Sequence, residues 1–296
     1  MKKYLLFLFV SSLLFSCRPS SKNEGETLTV TIAPQRYFLE KLVGDTYKIN
    51  TLVPPATSPE TYEPSPATMI ELGKSAIYFK VGFLGFENAW SQKLKQNNPD
   101  VNIVDCSQGI ELVYDEHGHS HGHAHEDEGH EHSHGADPHI WSSPKNALTL
   151  SKNMLDALVL LNPQDKESLQ ANYEKLAGEI NATDRIIRRK LTDIPSRSFI
   201  IYHPALSYFA HDYNLIQYSI EFEGKNPSPA QIKNIVDLAK ANQIKVVFIQ
   251  AGFDTKNAEV VAQEAGAKVY KINPLAEDWD KELIRVADIL AGGADE

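Results

Sequence analysis

The sequence predicts an α/β protein made of two similar lobes with mainly parallel sheets, joined by one long bridging helix. Three observations carry this. Short runs rich in Val, Ile, Phe and Tyr alternate with segments of helical spacing over residues 28–106, and again over 198–291. Such alternation is the signature of a parallel sheet with helices on both faces. Between the two series lies Gln164–Thr192, which contains no Pro and a single Gly.

The elements follow in order. Leu28–Ala33 reads as a strand, Tyr37–Val43 as a helix and Lys48–Val53 as a strand. Pro54-Pro55 ends that strand and opens a Pro-rich loop to Pro66. Ala67–Gly73 reads as a short helix, Ala76–Val81 as a strand, Glu87–Gln96 as a helix and Val101–Cys106 as a strand. Pro144–Leu161 sets Leu148, Leu155, Leu158 and Val159 on one side of a helix, which Asn162-Pro163 breaks. As a helix, Gln164–Thr192 spans roughly 45 Å at about 1.5 Å per residue. Its apolar residues are few (Leu169, Tyr173, Leu176, Ile180, Ile187, Leu191), which suits a helix lying across a surface. The second series places strands at Ser198–Tyr202, Ile216–Glu221, Lys245–Gln250 and Lys268–Ile272. Helices fall at Ala205–Tyr213, Pro229–Asn242, Asn257–Ala265 and Asp280–Ala291, with a capping box at Ser228–Gln231. The chain divides into an N-terminal lobe (27–163), a linker helix (164–193) and a C-terminal lobe (194–296). Open parallel sheets bind ligands beyond the carboxyl ends of their strands, so the expected site is the cleft between the lobes.

The N-terminus carries Lys2 and Lys3, the apolar run Tyr4–Phe15 and then Ser16-Cys17. This is the order of a secretory signal peptide, residues 1–16, and the run is too short for a membrane span of about 20 residues. Leu14-Phe15-Ser16-Cys17 resembles a bacterial lipobox, with Phe15 where that pattern has a small residue. The resemblance implies that Cys17 is lipidated, that residues 17–26 form a tether, and that the protein is anchored outside the cytoplasm. Cys106 is then the only other cysteine, which precludes an intrachain disulfide. It follows the apolar run Val101–Val104 and reads as a buried small hydrophobe. The net charge of −10 argues against nucleic acid as a partner and suits cation capture.

Residues 117–134 hold eight histidines: His117, His119, His121, His123, His125, His130, His132 and His134. Asp115, Glu116, Glu126, Asp127, Glu128 and Glu131 flank or interrupt them, and no Lys or Arg lies inside. Imidazole is the commonest protein ligand for late first-row divalent metals, so loop 115–136 reads as an auxiliary Zn²⁺-, Cu²⁺- or Ni²⁺-binding segment. Three further segments stand at predicted strand ends or in the loops beyond: Ser58–Pro64, Asp137–Trp141 and Tyr202–Ala205. His139 and His203 are the candidate ligands there. Trp141, Tyr202, Tyr208 and Trp279 read as packing residues, and His211 as a structural or surface residue.

PETYEP, DPHIW followed by SP, IYHPALSYFAHDY, NPSPAQI and GAKVYKINPLAEDW occur in that order. In these motifs residues 27–291 resemble the cluster A-I substrate-binding proteins of bacterial ABC transporters for Zn²⁺ and Mn²⁺. The resemblance implies two α/β lobes on a rigid helix, with a metal held between them from four places. Two places carry over to His139 and His203. In the PETYEP segment Glu60 stands where the family normally has His, and carboxylate oxygen also binds Zn²⁺. Gln250 and Asn273 stand where the family often has acids, so either amide, or water, completes the shell. Glu63 is a lesser candidate that supports the loop. Two imidazoles and one carboxylate suit Zn²⁺, and the His-rich run favours Zn²⁺ over Mn²⁺. The implied function is the extracytoplasmic binding component of a zinc importer. It is a monomer that delivers Zn²⁺ to a membrane permease with a cytoplasmic ATPase. The alternatives are a manganese-binding component, a metal-buffering or adhesin lipoprotein and, last, a zinc hydrolase. No HExxH unit supports the hydrolase.

Overall fold

Among the described residues, eight strands form two four-stranded sheets in which every neighbouring pair is parallel. The computed structural model describes residues 26–55, 57–114, 135–221, 226–250, 253 and 255–293. The expected signal peptide, Cys17 and all eight histidines of the His-rich run lie outside them.

The first sheet contains β1 (Thr27–Val30), β2 (Lys48–Thr51), β3 (Ser75–Lys80) and β4 (Asn102–Asp105), in the order β2-β1-β3-β4. The second contains β5 (Ser198–Ile201), β6 (Ile216–Ser219), β7 (Val246–Gln250) and β8 (Lys268–Ile272), in the order β6-β5-β7-β8. Both orders reverse direction beside the first strand, so each lobe has a crevice between its first and third strands.

Helices α1 (Ala33–Val43), α2 (Pro66–Leu72) and α3 (Gly85–Asn97) connect the first sheet. Helix α1 starts earlier than apolar spacing predicts, and β1 ends earlier. The Gln35 side-chain oxygen accepts the Thr31 and Ile32 backbone N–H groups, and Pro34 sits in the first turn, where its missing N–H costs nothing. Helix α4 (Pro144–Leu161) is capped by the Ser143 hydroxyl, which accepts from the Asn146 N–H. A short turn at Pro163–Asp165 leads into α5 (Lys166–Lys190), about 37 Å long. Helices α6 (Ser207–Asp212), α7 (Pro229–Ala241), α8 (Thr255–Ala265) and α9 (Trp279–Leu290) complete the second lobe. The capping box at Ser228 and Gln231 is present. Among the described residues no helix is long and apolar enough to cross a membrane.

Alternating strand residues divide the second lobe's interior. Ile200, Val247 and Ile249 pack with Val236, Ala239, Ala258 and Val261 of α7 and α8. Phe199, Ile201 and Phe248, on the opposite face, join a core that continues through α5 and α9 into the first lobe. Trp279 opens α9 with its ring 5.0 Å from Phe38 of α1, and its indole N–H donates to the Trp141 carbonyl at 2.7 Å. In return the Trp141 indole N–H donates to the Pro274 carbonyl at 2.8 Å. Wide opening of the lobes would expose this shared core, so the packing favours a nearly fixed cleft.

Candidate metal centre

Each lobe brings side chains to the cleft by a different local device. His203 stands just beyond β5, where the strand turns into Pro204 and the Ala205 N–H bonds back to the His203 carbonyl at 2.7 Å. His139 precedes a single turn, Ile140–Ser142, and its carbonyl accepts from the Ser142 N–H and hydroxyl. Glu60 comes from the Pro-rich loop after β2, where its N–H reaches the Ser58 hydroxyl at 3.4 Å. His139 is 4% exposed, His203 9%, and the Glu60 side chain 31%. All three line a cavity of about 430 Å³ together with Trp141, Glu221 and Phe253.

Their ligand atoms converge. His203 Nε2 lies 3.3 Å from His139 Nε2 and 3.2 Å from Glu60 Oε2, and His139 Nε2 lies 3.6 Å from Glu60 Oε1. With bonds of about 2.0–2.1 Å in a tetrahedron, neighbouring zinc ligands stand about 3.3–3.4 Å apart. The observed separations come near that spacing, with the two imidazoles reaching different oxygens of the Glu60 carboxylate. Among the described residues this is the one group of three His, Cys, Asp or Glu side chains gathered so closely.

Both imidazoles are oriented from behind by carboxylates. Asp137 Oδ1 accepts from His139 Nδ1 at 2.9 Å and from the His139 N–H at 2.7 Å. Glu221 Oε2 lies 3.1 Å from His203 Nδ1. With each Nδ1–H pointing at a carboxylate, each Nε2 faces the cavity, its lone pair open to a metal once that nitrogen is deprotonated. Phe253 stacks on the His203 ring at 5.5 Å with planes 10° apart.

The electrostatics favour a cation. Burial disfavours charged His203, but hydrogen bonds to Glu221 and Glu60 overcome it and push its pKa up to about 9. Burial likewise works against the Glu60 carboxylate, yet the His203 hydrogen bond and both imidazoles hold its pKa below the usual value. Asp137 is held low against its burial, chiefly by His139. Three carboxylates around two imidazoles form a negative pocket whose charge a proton or a dication partly offsets.

Of the other sequence candidates, Gln250 and Asn273 line the same cavity. Gln250 has both amide atoms engaged on His203: Nε2 donates to its carbonyl at 2.6 Å and Oε1 accepts its N–H at 3.4 Å. Asn273 Oδ1 accepts the Leu275 N–H at 3.2 Å. Glu63 is exposed, as is His211, which pairs with Asp212. Cys106 is fully buried, as are Trp141, Tyr202, Tyr208 and Trp279 to within 2%. Sequence reading missed Asp137 and Glu221. Asp137 was signalled by its place two residues before His139, whereas Glu221 meets His203 only through the pairing of β5 with β6.

The profile of the periplasmic component A of the zinc-uptake complex (ZnuA) matches residues 28–286. The chain belongs to this family. The zinc-uptake component family is one of binding components of uptake systems rather than enzymes. The high-affinity zinc uptake system protein ZnuA of Bacillus subtilis is 29% identical over 278 residues, covering 90% of this chain and 86% of the relative. The zinc-binding lipoprotein AdcA of Streptococcus pneumoniae is 27% identical over 284 residues, or 93% of this chain. The chain spans only 56% of that relative's length. A crystal structure of ZnuA superposes with a TM-score of 0.81 at 36% identity, covering 90% of this chain and 98% of the other.

Proposed function

We propose that this protein captures Zn²⁺ outside the cytoplasm and delivers it to an ABC importer, its membrane permease and cytoplasmic ATPase. The carrying observation is the convergence of Glu60, His139 and His203, whose nitrogen and oxygen atoms approach to 3.2, 3.3 and 3.6 Å, the first and last to different Glu60 oxygens, near the spacing of ligands on one tetrahedral zinc ion. In this reading the three side chains are ligands and water takes the fourth position. Gln250 holds the His203 main chain instead of the metal, in keeping with its engaged amide. Asn273 serves its own turn in the same way. The family and the zinc-binding relatives support zinc as cargo.

The remaining parts of the reading rest on sequence. Cys17 carries a lipid anchor, residues 18–26 tether the lobes to the membrane, and the histidines of 117–134 raise the local metal concentration. The AdcA lipoprotein supports the anchor.

Competitive titration of the mature chain without residues 116–135 tests the core of this. One tight zinc equivalent is expected that manganese does not displace and that is lost in His139→Ala and His203→Ala. Preferential manganese binding would overturn the choice of metal. Normal growth of a deletion strain under zinc limitation would overturn the importer role.

A further inference from the structure

The start of α6, in the second lobe, grips the stretch of the first lobe that carries His139. The Tyr208 hydroxyl donates to the Asp137 carbonyl at 2.9 Å and accepts the Val113 N–H at 3.3 Å. The Asp137 N–H donates to the Val113 carbonyl at 2.9 Å, and Tyr114 bridges Ala136 beside it. One hydroxyl therefore ties two neighbouring first-lobe segments where they pair. Next to it, the Ser207 side chain neighbours the Asp137 carboxylate, the group that orients His139, while its hydroxyl donates to the Pro204 carbonyl at 3.2 Å. Tyr208 is 2% exposed, so water does not substitute for these bonds at low cost.

Ser207 and Tyr208 follow His203 within one short piece of chain. That piece meets the 137–139 stretch at two points: His203 faces His139 at one, and Tyr208 holds Asp137 at the other. Two fixed points set both separation and orientation. We propose that Tyr208 is a positioning residue for the metal centre, its hydroxyl holding His139 at ligand distance from His203 across the lobe boundary. This inference rests on the zinc-binding reading above. A preformed ligand pair spares the metal the cost of ordering it.

The test compares Tyr208→Phe with Tyr213→Phe. Tyr213 is also buried at the end of α6, but its hydroxyl donates to Asp184 of α5 at 2.9 Å, away from the centre. Zinc affinity would be measured by chelator competition, thermal stability with and without zinc, and coordination geometry from the visible spectrum of bound Co²⁺. Tyr208→Phe is expected to weaken zinc about tenfold, the scale of one or two buried hydrogen bonds. It should also shrink the zinc-induced rise in Tm and alter the cobalt spectrum. Tyr213→Phe should lower Tm in both states while leaving affinity and spectrum unchanged. Wild-type affinity and spectrum in Tyr208→Phe would overturn the proposal, as would an equal loss of affinity in Tyr213→Phe. If Tyr208→Phe does not fold, Ser207→Ala carries the same test with a loss of about threefold. Failure of the unaltered protein to bind zinc tightly would refute the zinc reading instead.

Discussion

In the first sheet Val30 pairs with Phe79 across the reversal of strand order, and in the second Ile201 pairs with Phe248. Val30 also faces Thr51, as Ile201 faces Ser219. Counting on two residues from each, Ile32 stands where the second lobe has His203, Val81 where it has Gln250, and Val53 where it has Glu221. One strand plan thus carries an apolar set in one lobe and a candidate ligand with its supports in the other. The first lobe's crevice is also plugged. Glu87 of α3 accepts the Val81 and Gly82 N–H groups at 2.8 Å each and the Thr31 hydroxyl. It is 1% exposed, and burial pushes its pKa up against those hydrogen bonds. The first lobe supplies its share of the candidate metal centre from elsewhere, through Glu60 in a loop and His139 in a turn. Topology offered two equivalent crevices, and a few side chains decided which one became a site.

The largest expected contrast lies between the two buried acids. Glu221→Gln should weaken zinc by about 10- to 100-fold, as loss of a partner behind a histidine ligand does, with little change in Tm above pH 9, where His203 is neutral. Glu87→Gln should do the reverse: zinc affinity within about twofold, and a stability loss of about 1–3 kcal/mol from a backbone N–H left facing an amide donor. Metal titration beside chemical denaturation of both variants decides it. If Glu87→Gln weakens zinc as much as Glu221→Gln, the first-lobe crevice is part of the functional site after all.

Proton competition is the next effect. His203 has a pKa of about 9 in the folded chain against an ordinary 6.5. In the zinc-free protein its protonation contributes stability that is complete below pH 6.5 and lost as pH rises through about 9. In the proposed function zinc takes the same nitrogen and must expel that proton. Affinity should therefore climb by about tenfold per pH unit below pH 9, then level off. Titrations across this range would show it, and a flat profile would mean that His203 is already neutral before zinc arrives. The crevice of the first lobe, with Ile32 in the equivalent place, has no such term.

Gln250→Ala should have the smallest effect, roughly a threefold loss of zinc affinity, because it releases the His203 main chain and leaves the ring's partners in place. A loss of several hundredfold, matched by His203→Ala, would place Gln250 on the metal.

Much of this was legible beforehand for local reasons. Strand and helix alternation is written in apolar spacing, and Ser228–Gln231 and Pro54-Pro55 act within a few residues. His139 and His203 stood out because each lies beside a Pro at a predicted strand end or in the loop beyond. The support from Glu221 did not stand out, because it depends on which strands pair. Helix α9 follows the second sheet in sequence, yet Trp279 packs on Phe38 and bonds to Trp141 of the first lobe. No spacing rule reports a contact across that many residues.

The sequence by itself determined the α/β plan, the long helix and the residue types capable of holding a metal. These follow from short-range periodicity, turn chemistry and the chemistry of single side chains. Only the tertiary structure decided that Glu60, His139 and His203 meet, that Glu221 orients the His203 ring, and that Glu87 closes the other crevice. Those outcomes depend on sheet register and on a core shared between lobes, which bring together atoms that the chain keeps far apart.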